Sequence, residues 1–400
     1  MKARASLVAI AIAACPLACS KARGAESADA SAPAIASAPI APTASIAPAV
    51  SARPAVSAVA FVAPEPPPTP DGLPPVLEVQ EVAETGSMPK GASLSRDGTK
   101  FFVTNFGQGD KRNVTVYDAK TLELLDTLDV PGIIVESALS IDGKTLFISN
   151  FRRDTVMFVD LASKSVTHEA KVGAVPKVLT ASPDGKSVFA ANWSADTVTQ
   201  VDVASASPVR TLKVGKSPRG MAMTKSGKLF VANFYGSSID VFEGEDFSRR
   251  HRVPVCLCPR HLVVSPDDQT LYVSCLTASQ LHAIDIATEK LVHSVAVGES
   301  PKSIDVSRDG RWVYTADYGE SRSVSLVDTK SWTARVFPIP AMDRASGVAV
   351  AADGKHALVT GWYDNHVYLV GFEGTGGDPA LAKAKMRAWQ FVPRHPDPGD

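Results

Sequence analysis

Five prolines within residues 76–373 of this 400-residue chain are each followed by a cation: Pro89-Lys90, Pro176-Lys177, Pro218-Arg219, Pro259-Arg260 and Pro301-Lys302. Each cation stands seven residues before a recurring turn, at Asp97, Asp184, Ser226, Asp267 and Asp309. Cations gathered around one axis repel each other unless carboxylates or a bound anion intervene. If the fold brings these five together, the chemistry they can do is anion capture. A second set is aromatic and recurs with the same spacing: Phe106, Phe151, Trp193, Phe234, Tyr318 and Trp362, with Leu276 as the departure. Such rings either plug gaps between repeats or offer a surface on which a flat group stacks. The residues that follow the cation positions read Gly91, Glu136, Val178, Gly220, His261, Ser303 and Gly347. Glu136 and His261 are the one acid/base constellation among them, and a hydrolase acting on a lactone or ester would need such a pair.

The elements that must position these residues are repeats. The clearest copy reads SPDGKSVFAANWSADTVTQVDV, starting at Ser182. Its turn recurs at Asp97-Gly98, Asp142-Gly143, Asp184-Gly185, Ser226-Gly227, Asp267-Asp268, Asp309-Gly310 and Asp353-Gly354, in steps of 45, 42, 42, 41, 42 and 44 residues. A fixed period of this size marks a repeat architecture. Within one copy, Val178 to Ser182 is short and apolar, and Asp184-Gly185 reads as a hairpin turn because both central positions tolerate positive φ. Ser187 to Asn192, Thr197 to Val203 and Val209 to Val214 follow as three further strands. Four antiparallel strands per repeat predict an all-β, seven-bladed β-propeller. The seventh copy lacks a fourth strand, and Val76 to Val82 stands unpaired before the first copy. That N-terminal strand is expected to complete the last blade and remove an open edge.

Antiparallel order then assigns the faces. The Asp-Gly turns share one face of the ring. The loops after the second strands and the connections into the first strands share the other. The five cations and the aromatic set therefore gather at one mouth of the central channel, where the first strands line the wall.

The second strands read FFVTN, LFISN, VFAAN, LFVAN, LYVSC, WVYTAD and ALVTG, and the third strands NVTVYD, TVMFVD and TVTQVD among others. With the Ser-Pro-Asp-Gly turn this text resembles the YVTN-repeat propeller family over residues 76–373. The family includes surface-layer proteins and exported bacterial propellers, and it borders the lactonase-like propellers. The resemblance implies the fold, whereas function must come from the site itself.

The chain ends carry other information. Lys2 and Arg4 precede an apolar run from Leu7 to Ala14 that is too short to span a bilayer and fits a signal peptide. Ile12-Ala13-Ala14-Cys15 resembles the lipobox of bacterial lipoproteins, with Pro16-Leu17-Ala18-Cys19 as a poorer second candidate. That resemblance implies a lipidated Cys15 (or Cys19) and an exported, membrane-anchored protein, periplasmic or at the cell surface. Residues 1–19 are thus assigned to the signal peptide and residues 20–75, rich in Ala, Pro and Ser, to a disordered tether. Residues 374–400 form a tail in which Pro379 to Val392 can make a short helix.

Cys256, Cys258 and Cys275 fall in one repeat. With His261 they spell Cys-x-Cys-x-x-His, a pattern that can hold a metal. An oxidising compartment favours a disulfide from Cys275 to Cys258 or Cys256 instead, so no metal is expected. Covalent haem, phosphate-loop, nucleophile-elbow and His-Glu-x-x-His motifs are absent, and no cofactor is assigned. The net charge of −1 provides no global field for nucleic acid, although a single strand stacked on the aromatics is chemically conceivable. The expectation is a binding or scaffold module whose ligand or envelope-protein partner is anionic. Lys90, Lys177, Arg219, Arg260 and Lys302 would supply charge, and Trp193, Phe234, Tyr318 and Trp362 the stacking surface.

Overall fold

A computed structural model describes residues 72–107, 112–244 and 246–389. The signal peptide, both lipidation candidates and nearly all of the tether lie outside the described residues. Seven separate four-stranded antiparallel sheets succeed one another along the chain, so the protein is an all-β, seven-bladed propeller. Blade three is typical, with Pro176–Ala181, Ser187–Asn192, Thr197–Asp202 and Ser207–Lys213 in order from the axis outward. Second and third strands are almost wholly buried because sheets cover both of their faces, which is why they read as apolar runs. The outermost strands are largely exposed. Core side chains of neighbouring blades interlock, as where Phe102, Val116 and Leu128 of blade one meet Ile134, Leu146 and Ile148 of blade two.

The last blade is composite. Ala345–Val350, His356–Gly361 and His366–Phe372 are joined at the outside by Leu77–Glu84. This closing strand runs antiparallel to His366–Phe372, with Val82 opposite Tyr368 and Val79 opposite Val370. A helix, Pro379–Trp389, then lies on the closing strand. Asp378 accepts a hydrogen bond from Leu381 N at 3.0 Å and so caps its start. Ala382 is buried, Met386 packs on the last blade's core, and Lys385 Nζ reaches Glu81 Oε1 at 2.6 Å.

The hairpin turns stand at the Asp-Gly pairs, with positive φ at the glycine alone. Asp97, Asp142 and Asp184 do not adopt positive φ; only the following Gly98, Gly143 and Gly185 do, at 76°, 71° and 72°. The loop is also longer than two residues. Gly98 N donates to Ser95 O, and Ser95 N to Lys100 O. The aspartate fixes the turn with its side chain instead, accepting from Ser95 Oγ and Thr99 N.

Candidate functional site

Each blade's inner strand carries a β-bulge at the same place. The register slips between Pro89 and Gly91, Pro176 and Leu179, Pro218 and Met221, Pro259 and Leu262, and Pro301 and Ser303. The same slip occurs at Ile134/Ser137 and Ala345/Val348, where the cation is missing. A bulge re-aims a side chain and frees a backbone N–H. Here the re-aimed residue is the cation. Hydroxyls of the second strand accept the freed N–H groups: Thr104 Oγ1 from Gly91 N, Ser149 Oγ from Glu136 N, Ser274 Oγ from His261 N and Thr360 Oγ1 from Gly347 N. A Cβ at Gly91 would lie 2.3 Å from Glu136 Oε2 and 2.6 Å from Thr104 Oγ1, so a larger residue would displace the Glu136 carboxylate.

The five cations converge. Lys177 and Lys302 both feel the charges of Lys90, Arg219 and Arg260. Lys90, Arg260 and Lys302 are only 6%, 9% and 7% exposed. Burial pushes the Lys90 ammonium down to about 8, although Glu136 beside it pulls the other way. Burial, reinforced by the neighbouring arginines, holds Lys177 and Lys302 well below the ordinary lysine range. Glu136 is the carboxylate that answers them. Lys90 Nζ donates to its Oε1 at 2.8 Å. Burial pushes the Glu136 carboxyl up, yet Lys90 more than offsets this and keeps it ionised.

Aromatic rings wall the cations. Lys177 Nζ lies 4.3 Å from the Phe151 centroid and 5.9 Å from that of Trp193. The Arg219 guanidinium lies 5.0 Å from Trp193 and 5.6 Å from Phe234. Lys302 Nζ sits 4.1 Å from Tyr318 and 4.4 Å from Trp362, and donates to Ser346 Oγ at 2.7 Å. The rings divide by exposure. Trp362 and Phe234 are 1% and 4% exposed and are packing residues first. Trp193, Tyr318 and Phe151 are half-buried and offer ring surface. Sequence reading missed Arg344, which lies 5.7 Å from Tyr318 and pairs with Glu320, because blade seven lacks the Pro-cation signal. It also missed Tyr363, packed against Trp362 at 6.3 Å.

His261 and Glu136 feel each other's charge across the channel. Burial pushes the imidazole down to about 4, against the pull of Glu136, and its Nδ1 accepts from Ile304 N at 3.4 Å. A neutral imidazole could act as a base. Glu136 is ionised and bound to Lys90, so it has no proton to give as a general acid.

The cysteines lie in blade five. Cys256 and Cys275 are joined by a disulfide, and Cys258 is buried with its sulfur unoxidised. His261 does not join them; the histidine grouped with Cys256 and Cys275 is His282.

A family model described as "YNCE-like beta-propeller" matches residues 74–311 and, overlapping it, 137–365. Antigen Lp49 of Leptospira interrogans serogroup Icterohaemorrhagiae serovar copenhageni (strain Fiocruz L1-130) is 27% identical over 105 residues, which is 23% of this chain and 23% of that protein. The match thus spans under a quarter of that relative. Among solved structures, Kuenenia stuttgartiensis hydrazine synthase superposes with a TM-score of 0.64 at 19% identity, covering 73% of this chain and 97% of that one. Identity that low speaks to the fold alone.

Proposed function

The chain belongs to the YNCE-like β-propeller family, and from that premise we propose that it is a binding module whose channel mouth captures an anion bearing a flat or apolar part. One observation carries the reading. Five cations share a buried, aromatic-walled mouth, and among the described residues Glu136 is the carboxylate that acts on its lysines. Burial and the neighbouring cations disfavour the charged forms of Lys177 and Lys302, which costs stability. A bound anion offsets that cost, and half-buried Trp193, Tyr318 and Phe151 would contact its apolar part. An acidic loop of an envelope protein and a small aromatic acid present the same chemistry. The finer likeness to YVTN-type propellers and the lipobox-like segment ahead of Cys15 support an exported protein held to a membrane by acyl chains.

The test is calorimetric titration with benzoate, an aryl phosphate, an aryl sulfonate and inorganic phosphate, at low and high salt. The aromatic anions should bind more tightly than phosphate, and salt should weaken every one of them. Arg219→Gln combined with Lys177→Gln should lower affinity by about tenfold or more while the melting temperature holds or rises. Unchanged affinity in that double variant would sink the funnel. So would binding indifferent to salt.

A further inference from the structure

In five blades a small polar cluster ties the end of the second strand to the connection that enters the blade or to the third strand beside it. Its centre is the last residue of the second strand, which reads Asn105, Asn150, Asn192, Asn233 and Asp317. A glycine, namely Gly86, Gly132, Gly173, Gly215 or Gly298, lies so close that a Cβ there would collide with this side chain. The third member projects from the adjacent strand. Asn192 Nδ2 donates to Thr199 Oγ1 at 2.9 Å, Asn105 Nδ2 to Thr115 Oγ1 at 3.4 Å, and Ser325 Oγ to Asp317 Oδ2 at 2.7 Å. In blade four Gly215 N donates to both Asn233 Oδ1 and Asp240 Oδ2, at 2.8 and 2.7 Å.

Blade five rewrites all three positions. Cys256 stands where the glycine does, 19 residues before Cys275, which stands where the asparagine does. His282 takes the third place. It pairs across the strands with Val273, as Thr199 does with Ala190 and Asp240 with Val231. The disulfide alone accounts for the two cysteines. It does not account for the imidazole, because a sulfur–sulfur bond needs no third partner; Thr115, Thr199 and Ser325 fill this place in blades one, three and six, and Met157, Asp240 and Tyr368 in blades two, four and seven. One ligand atom from each of Cys256, Cys275 and His282 lies within 4.8 Å of the other two. Around a tetrahedral zinc, with bonds of about 2.3 Å to sulfur and about 2.0 Å to nitrogen, ligand atoms stand roughly 3.5 to 4 Å apart.

We propose that the blade-five cluster is a redox-gated metal site: closed as the Cys256–Cys275 disulfide, and on reduction open to a soft or borderline cation such as zinc or cuprous copper, held by two thiolates and the His282 imidazole. Opening takes two electrons and two protons. A dithiol supplies both, is oxidised to its own disulfide, and leaves two thiols in the protein. Metal entry then releases the two thiol protons to solvent. Cys256 is half-buried and gives the reductant a point of attack, whereas Cys275 and His282 are buried and hold their places. Two thiolates and an imidazole select thiophilic metals over magnesium or calcium. The site shares no residue with the cationic funnel.

The experiment reduces the full chain anaerobically with a dithiol, removes the reductant and titrates cobalt(II), whose absorption reports thiolate coordination. Reduced wild type should take up a single equivalent with a thiolate charge-transfer band, and oxidised wild type should show none. His282→Thr restores the residue type of blades one and three and should leave the oxidised fold intact. Its reduced form should bind cobalt at least about tenfold more weakly, since loss of even an outer contact to a metal costs that much. Cys256→Ser/Cys275→Ser should abolish the band. Equal uptake by either variant, or no uptake by reduced wild type, overturns the site. Loss of the β-sheet circular dichroism on reduction alone also overturns it, because the cluster must open without unfolding.

Discussion

Burial sets the protonation of the rim lysines, and the sign of its effect on stability follows. Lys302 has a folded-state pKa well below the ordinary 10.5 because burial and the charges of Arg260, Lys90 and Arg219 disfavour the ammonium. The penalty on the folded state is therefore complete below the folded pKa and fades as pH rises towards the unfolded value. For Lys90 that window runs from about 8 to the unfolded 10.5. Stability should rise across it, read by denaturant midpoints at successive pH values with the alkaline effect of other groups subtracted through variants. Lys302→Met keeps an apolar stem on Tyr318 and Trp362 and removes the charge. It should stabilise the protein at pH 7 by about 1 kcal/mol or more, because a buried charge with no carboxylate of its own is replaced by a well-packed chain. It should also flatten the alkaline rise. Aryl-anion affinity should fall in the same variant, and in wild type it should fall as pH passes through about 8 and Lys90 discharges. A destabilised Lys302→Met protein would mean that Ser346 and the rings already satisfy the ammonium. The cations and aromatics were legible in the sequence because they recur at fixed offsets from the turn. Arg344 and Tyr363 were not, since each occurs once.

At the scale of the strand, recurrence exposes exceptions. Second and third strands were readable from apolar runs, and the faces of the ring from antiparallel counting. The bulge was not readable, because nothing in Pro-Lys or Pro-Arg marks a register slip; its trace is the hydroxyl one residue before the end of the second strand, as in Thr104, Ser149 and Ser274. The turns were located by Asp-Gly, but their geometry was not readable, because Asp-Gly satisfies two turn geometries and the choice falls to a serine two residues earlier. Blade six shows what an exception costs. Asp317 replaces asparagine where blades one to four end their second strands. Burial pushes its carboxyl up to about 7, outweighing hydrogen bonds from Thr315, Ser325 and Ser323. The folded state thus holds a proton that the unfolded state loses near 3.8. Stability from this group is complete at acid pH and is lost as pH rises from about 4 to about 7. Asp317→Asn should remove that loss, raising stability at pH 8 by up to about 4 kcal/mol and leaving it nearly unchanged at pH 4. Urea unfolding of both proteins at the two pH values decides it. An equal gain at both pH values would show that packing, and not ionisation, separates the two residues.

The whole ring depends on one pairing of distant segments. Residues 77–84 and 366–372 come from opposite ends of the propeller yet form neighbouring strands. Their pairing was legible from a missing fourth strand at one end and a spare strand at the other. The helix laid over them was visible only as a pattern of Ala, Lys and Met, and nothing in that pattern said it would dock on the closing strand. Leu77 and Val82 bury themselves with Tyr314 and Leu326 of blade six and with Met342 and Tyr368 of blade seven, so the closing strand also cements two blades together. Tyr117 of blade one donates its hydroxyl hydrogen to Glu84 O at 2.6 Å, which ties the far side of the seam. Removing residues 1–84 strips three things at once: a strand, the platform of the helix and the anchor of blade one. His366–Phe372 then becomes a bare edge, and bare edges pair with other chains. The truncated protein should melt at a lower temperature and run as a dimer or larger species on size exclusion. A synthetic peptide spanning Pro74 to Gly86 supplies the strand in trans, as in donor-strand complementation, and should restore both the monomer and most of the lost melting temperature. Val82→Asp in that peptide should abolish the rescue, since the position is 2% exposed in the closed ring. If the truncated chain stays monomeric and melts with the intact one, the inner strands alone hold the circle, and the closing strand is a decoration on a ring already complete.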